Sequence, residues 1–262
     1  MLLEKVLNWW AASICPGNRE SARSVYCRPM RFRDRLLASI RAMQPVIEIP
    51  GVMVGGSQVP NLLEPDVAAT LVVSQDVDLV IPVSRHAEVK KALEGLRGYT
   101  PSSDEPSVWL PDDEQLLEMN FIGLDPSLRE SSDTYVLDDE RLPLLVFGLL
   151  SHLREGKLLQ VGDVRVRLPR PAGLLIEKLL TERAGLKGQR DLLVALALLL
   201  VSHCDDVDEV AERFAELSHE QKKTVIGSLT ILSLMGSVPD MPDPGRARDE
   251  IADVIERLET IS

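Results

Sequence analysis

A chain of 262 residues with 45% hydrophobic and 27% charged residues is long enough to bury a sizeable core and has the balance of a globular protein, not of a disordered one. A formal net charge of -12 and only 4% aromatic residues argue against a general nucleic-acid binder and against stacking platforms for single strands. The charge is uneven: residues 101–141 hold twelve acids and two bases, whereas residues 142–190 hold nine bases and four acids. The second stretch is where an anionic substrate is expected.

Residues 1–29 read as an N-terminal extension without sustained periodicity, carrying Trp9, Trp10 and the arginines Arg19, Arg23 and Arg28. No basic leader precedes the first apolar stretch, so a signal peptide is not expected. Residues 30–165 read as an α/β domain. An amphipathic helix is predicted over 32–43, with Leu36, Leu37 and Ile40 on one face. Val52-Met53-Val54 reads as a short strand entering the turn Gly55-Gly56-Ser57, where backbone N–H groups and a hydroxyl can approach phosphate oxygens.

The run 71–83 predicts a buried strand interrupted by Asp76 and Asp78. Their i, i+2 spacing puts both carboxylates on one face, roughly 6.6 Å apart at Cα. Two carboxylates side by side in an apolar strand repel each other, and a divalent cation with oxygen preference, Mg²⁺ or Mn²⁺, relieves that cost. A solvated pair at a strand edge is the plainer reading of the same residues.

A helix is predicted over 86–96, a solvated acidic loop with a short strand at 108–110 after it, and a strand over 116–122 on which Glu118 and Asn120 share a face. Residues 135–141 read as a strand and turn, and 142–153 as a helix or buried connection. Lys157 to Leu168 predicts a hairpin turning at Gly162-Asp163, with Arg165 and Arg167 on its solvent face. Residues 166–262 read as a helical domain. Its first two helices carry Lys178, Thr181, Arg183, Lys187, Arg190 and Asp191, which as a bland alternative form a basic solvated surface. Three cysteines, Cys15, Cys27 and Cys204, lack metal-ligand spacing, and the four histidines form no zinc pair, so a reduced, cytoplasmic setting without a membrane span is expected.

The ordered set Gly55-Gly56-Ser57, Ser74, Asp76-Val-Asp78 and the Lys178 to Asp191 run resembles the nucleotidyltransferase superfamily, and within it AbiEii-type toxins and related proteins. The resemblance covers about residues 52–201. It implies a small mixed-sheet α/β fold followed by a helical C-terminal domain. It also implies a metal-dependent transfer of a nucleotidyl group from a nucleoside triphosphate to a hydroxyl acceptor, RNA and protein both being open. Asp76 and Asp78 would hold Mg²⁺ or Mn²⁺ and, with Glu118, carry catalysis. Gly55, Gly56, Ser57, Lys178, Lys187 and Arg190 would bind the nucleotide, Arg190 with Asp191 would also tie the helices to the sheet, and a cognate antitoxin would be a partner. Two departures stand out: Val72 replaces an arginine, and Asn120 occupies the place of a third carboxylate, with Glu118 one pleat earlier. A degenerate nucleotide binder without transfer activity is the alternative.

Overall fold

The computed structural model describes residues 31–64, 74–128, 133–181, 185–239 and 241–261. The expected extension over 1–29, the start of the carboxylate strand at Leu71, Val72 and Val73, and Arg183 lie outside the described residues.

Helix α1 (Phe32–Ala42) places Asp34 in its first turn and Arg41 in its last, each complementing the helix dipole, and buries Leu36 and Ile40. Its buried Ser39 donates to Arg35 O at 2.8 Å and accepts from Leu117 N at 2.7 Å, which fixes the helix against the chain entering a central strand. A short α2 (Gln44–Ile47) leads to β1 (Met53–Val54), and α3 (Val59–Leu63) follows the Gly-Gly-Ser turn.

Strand β2 (Asp76–Pro82) lies between β1, antiparallel, and β5 (Glu118–Leu124), parallel. Between them in sequence come α4 (His86–Glu94), β3 (Tyr99–Pro101) and β4 (Val108–Pro111). The far side of β5 is divided. Its first half pairs antiparallel with β4 through Val108↔Asn120, and its second half pairs parallel with β7 (Leu144–Phe147) through Ile122↔Leu145. Strand β6 (Thr134–Leu137) pairs antiparallel with β7 and ends that branch of a seven-stranded mixed sheet.

The segment 142–153 corrects the expectation of a helix or buried connection: it is β7 followed by a 3-10 turn, Gly148–His152. Leu144 and Val146 are buried while Leu145 is exposed, a period of two that an almost wholly apolar run conceals. The hairpin forms as expected, β8 (Glu155–Val161) with β9 (Val164–Pro169), turning at Gly162 with φ 62°. Its two arginines do more than face solvent: Arg165 pairs with Glu48 and Arg167 with Glu155.

Five helices follow: α5 (Pro171–Leu180), α6 (Gly185–Val201), α7 (Cys204–Glu216), α8 (His219–Leu234) and α9 (Arg248–Glu259). Helix α5 is buried on all sides from Ala172 to Leu180, as a helix packed among α6, α7 and α8 must be. Helix α8 starts with a capping box between Ser218 and Gln221. One cluster of buried apolar side chains runs from Leu36 to Leu258, so sheet and helices share a core. The chain is thus α/β, a mixed sheet with a helical C-terminal region. Among the described residues no helix is long and apolar enough to cross a membrane.

Candidate functional site

Alternation along β2 buries Val77 and Leu79 on one face and leaves Asp76 and Asp78 on the other. The parallel register sets Asp76 opposite Glu118 and Asp78 opposite Asn120, so four polar side chains share one patch of the sheet. The Asn120 amide donates to Asp76 Oδ2 at 2.8 Å and to Asp78 Oδ1 at 3.3 Å, bridging the two carboxylates. Burial, and after it the charge of Asp76, pushes the Asp78 carboxyl up to about 6, against the opposing pull of Lys178 and Asn120.

The Gly-Gly-Ser turn is built onto this patch. Gly55 N donates to Asp78 O at 2.8 Å. Gly56 has φ +64°, and a Cβ there would lie 2.0 Å from Asp78 Oδ2, so only glycine lets the backbone approach that carboxylate. The Ser57 and Ser74 hydroxyls meet at 2.5 Å. Below them the buried Gln58 donates to Ser74 O and Asp76 O, both at 3.2 Å, and accepts from Asn61 Nδ2 at 3.0 Å. Arg33 in α1 donates to Asn61 O at 2.9 Å. Sequence reasoning overlooked Gln58, whose signal is a polar residue just before the mostly apolar stretch Val59-Pro60-Asn61-Leu62-Leu63.

The opposite wall comes from α5 and α6. The Lys178 ammonium is buried 3.2 Å from Glu177 Oε2 and 3.2 Å from Asp191 Oδ1. Burial alone would lower its pKa, but Glu177, Asp191 and Asp78 together outweigh that and hold it raised and charged. Lys178 rather than Arg190 thus makes the ion pair to Asp191 that joins α5 to α6. Arg190 is exposed on the rim beside the exposed Lys187.

Between sheet and helices lies an open cleft of about 310 Å³. Gly56, Ser57, Asp76, Asp78 and Asn120 line its sheet side, and Glu177, Lys178, Lys187, Arg190 and Asp191 its helical side. Ile122, Phe147 and Leu150 make its apolar end. Gly55 sits just behind the turn, its Cβ position filled by Val80. Glu118 shares the sheet face and lies opposite Asp76, but it is not among the residues lining the cleft. Partial burial, then Asp76 and Glu105, raise its carboxyl above the ordinary glutamate value.

Among the described residues no group of three or more His, Cys, Asp or Glu side chains is arranged to hold a metal ion. Asp76 and Asp78 offer hard oxygen donors on the sheet side, and the burial and mutual repulsion that lift the Asp78 pKa are costs that a divalent cation relieves. Two protein carboxylates fit Mg²⁺ when phosphate oxygens and water complete its octahedron.

No family model matches the chain, and no curated protein matches it. Among solved structures, an antigenic nucleotidyltransferase-like protein from Paracoccidioides brasiliensis is similar to it, with 14% identity and a TM-score of 0.42 over 84% of this chain and 93% of that one. A likeness at that level assigns neither a family nor an activity.

Proposed function

We propose that the cleft binds a nucleoside triphosphate with Mg²⁺ or Mn²⁺ and that the protein transfers the nucleotidyl group to a hydroxyl acceptor. The observation that carries this reading is a pair of aspartates facing, across one cleft, three cations of which two, Lys187 and Arg190, stand exposed at the rim. Asp76 and Asp78 stand beside a glycine turn, and Lys178, Lys187 and Arg190 face them from the helices. Carboxylates for a cation and cations for phosphates are what a metal-bound polyphosphate requires of its two walls. Asp76 and Asp78 would hold the ion, which when bound neutralises charge on the phosphate oxygens. Gly55, Gly56 and Ser57 give the triphosphate close backbone approach, and Lys187 and Arg190 on the open rim hold its outer phosphates. Lys178, fixed by two carboxylates, stabilises the charge that grows on the leaving group.

In the transfer, the acceptor oxygen forms a bond to the α-phosphorus and the bond from that phosphorus to the β-phosphate oxygen breaks. Pyrophosphate leaves, and the hydroxyl proton passes to Glu118. This role requires the Glu118 carboxylate to reach the acceptor hydroxyl beside both aspartates; Glu118 lies opposite Asp76 on the same sheet face but does not line the cleft. A toxin-like role with a cognate antitoxin extends this reading and is supported by the order of the motifs in the sequence.

Asn120 favours a second reading, a nucleotide binder without transfer. It stands where a third carboxylate would, and an amide that donates to both aspartates is neither a base nor an anionic ligand. Incubation with each α-labelled NTP, Mg²⁺ or Mn²⁺, and RNA and protein fractions separates the two. Transfer that Glu118→Gln abolishes, with Mg²⁺–ATP binding intact, supports the enzyme. Binding without transfer to any fraction supports the binder.

A further inference from the structure

Side chains at paired positions of a sheet share a face, so the register maps what surrounds the carboxylates. Beyond Asn120 on β5 comes Ile122, then Leu145 opposite it on β7 and Val136 opposite Leu145 on β6. On the other branch Val108 pairs with Asn120, and Leu110 follows one pleat along β4. These residues lie on the face that carries Asp76 and Asp78. Three of them are large apolar side chains open to solvent: Leu110 is 41% exposed, Leu145 39% and Val136 59%. The cleft under the helices covers the β2 side of this face and reaches Phe147 at the end of β7, whereas Leu110 on β4, Leu145 on β7 and Val136 on β6 stay exposed.

The charge on the open side differs from that of the exposed rim of the helical wall, where Lys187 and Arg190 stand. Glu118 shares the patch, and Glu105 lies close enough to raise its pKa. The segment 101–141 that supplies β3 to β6 carries twelve acids against two bases. Lys187 and Arg190 thus stand exposed where the triphosphate belongs, and Glu118, with Glu105 near it, stands among apolar side chains on the approach for the acceptor. A phosphate backbone is repelled there, and an apolar surface gives it nothing to bind.

We propose that this open sheet face is the acceptor-docking surface and that the acceptor is a polypeptide, presenting a Ser, Thr or Tyr hydroxyl among basic and apolar residues, and not an RNA. The inference rests on the transfer reading above. Three strand spacings separate β2 from β6, about 14 Å, which an extended peptide covers in about four residues. The apolar contacts of the acceptor accordingly fall within a few residues of the modified hydroxyl.

The test uses the full chain with α-labelled ATP and Mg²⁺ or Mn²⁺. Three acceptors are offered separately: a random Lys/Leu/Ser/Tyr copolymer, a Glu/Tyr copolymer and total transfer RNA. The wild type is expected to label the basic copolymer at least tenfold over the other two. Leu145→Lys/Val136→Lys, and separately Leu110→Lys on the other branch, should each reduce that labelling at least fivefold with Mg²⁺–ATP affinity unchanged within twofold. Unchanged ATP affinity also shows that each variant is folded. Preferential labelling of RNA, labelling of RNA that rises in the lysine variants, equal labelling of both copolymers, or labelling that neither variant reduces overturns the docking proposal. ATP binding with no transfer to any acceptor overturns it too. A wild type that binds no Mg²⁺–ATP overturns the underlying nucleotide reading instead.

Discussion

Gly56 and Asp78 constrain each other. A methyl group at residue 56 would meet the Asp78 carboxylate at 2.0 Å on a backbone with φ +64°. Gly56→Ala should therefore cost about 1–3 kcal/mol of stability and displace Asp78. Loss of Mg²⁺-dependent ATP binding in calorimetry, with a lowered unfolding midpoint, is the expected result, and unchanged binding would contradict it. Asp78 makes a second prediction. Its carboxyl titrates at about 6 in the fold, against about 3.9 in an unfolded chain. Between those values folded Asp78 holds more proton than unfolded Asp78, so its contribution to stability is fully present below about pH 4 and is lost as pH rises through about 6. Asp78→Asn removes that loss: urea unfolding should find it more stable than the wild type by about 1–3 kcal/mol at pH 8 and little different at pH 4. Equal differences at both pH values would show that Asp78 is not the titrating group. The motif Asp76-Val77-Asp78 made these carboxylates legible in the sequence, because strand alternation alone puts them together. The bridge from Asn120 was not legible, since it depends on which strand pairs with β2 and in what register.

The helical wall is held together through α5, and Lys178 carries its connection to α6. Its ammonium is buried between Glu177 and Asp191, and removing one partner of such a cluster leaves the others uncompensated. Lys178→Ala should cost about 3–5 kcal/mol, whereas Lys178→Arg, which keeps the charge, should retain more of the stability. A thermal midpoint for Lys178→Ala equal to that of the wild type would mean that Lys178 does not hold α5 to α6. The basic run along α5 and α6 stood out in the sequence, but the division of labour within it did not. Spacing places Lys178, Arg190 and Asp191 on neighbouring helices without saying which cation turns inward, and the packing of α5 among three helices settles that. The hidden strand β7 has a similar cause: an apolar run has no period until one face is exposed. Gln58 belongs here as well, because its hydrogen bonds reach residues sixteen and eighteen positions away.

Across the whole molecule, the chain is acidic, yet two exposed cations stand at the rim of the cleft. Lys187 and Arg190 are exposed at its rim, so reversing them perturbs little packing. Lys187→Glu/Arg190→Glu should weaken ATP binding at least tenfold, flatten its salt dependence, and leave the unfolding free energy within about 0.5 kcal/mol of wild type. Equal loss of adenosine binding would place these residues at the base and not at the phosphates. The α/β class with a helical C-terminal region was readable from the change in period along the chain. The two-branched sheet was not, because β4 and β7 both reach one edge of β5 from distant parts of the sequence. The most direct measurement of the central claim is calorimetric titration of ATP, with and without Mg²⁺, into the wild type and Asp78→Asn. Mg²⁺ should tighten ATP binding at least tenfold in the wild type, with no metal binding in the absence of nucleotide, and should do so barely at all in Asp78→Asn. Equal Mg²⁺ dependence in the two proteins, or no ATP binding by the wild type, would contradict the assignment of the cleft.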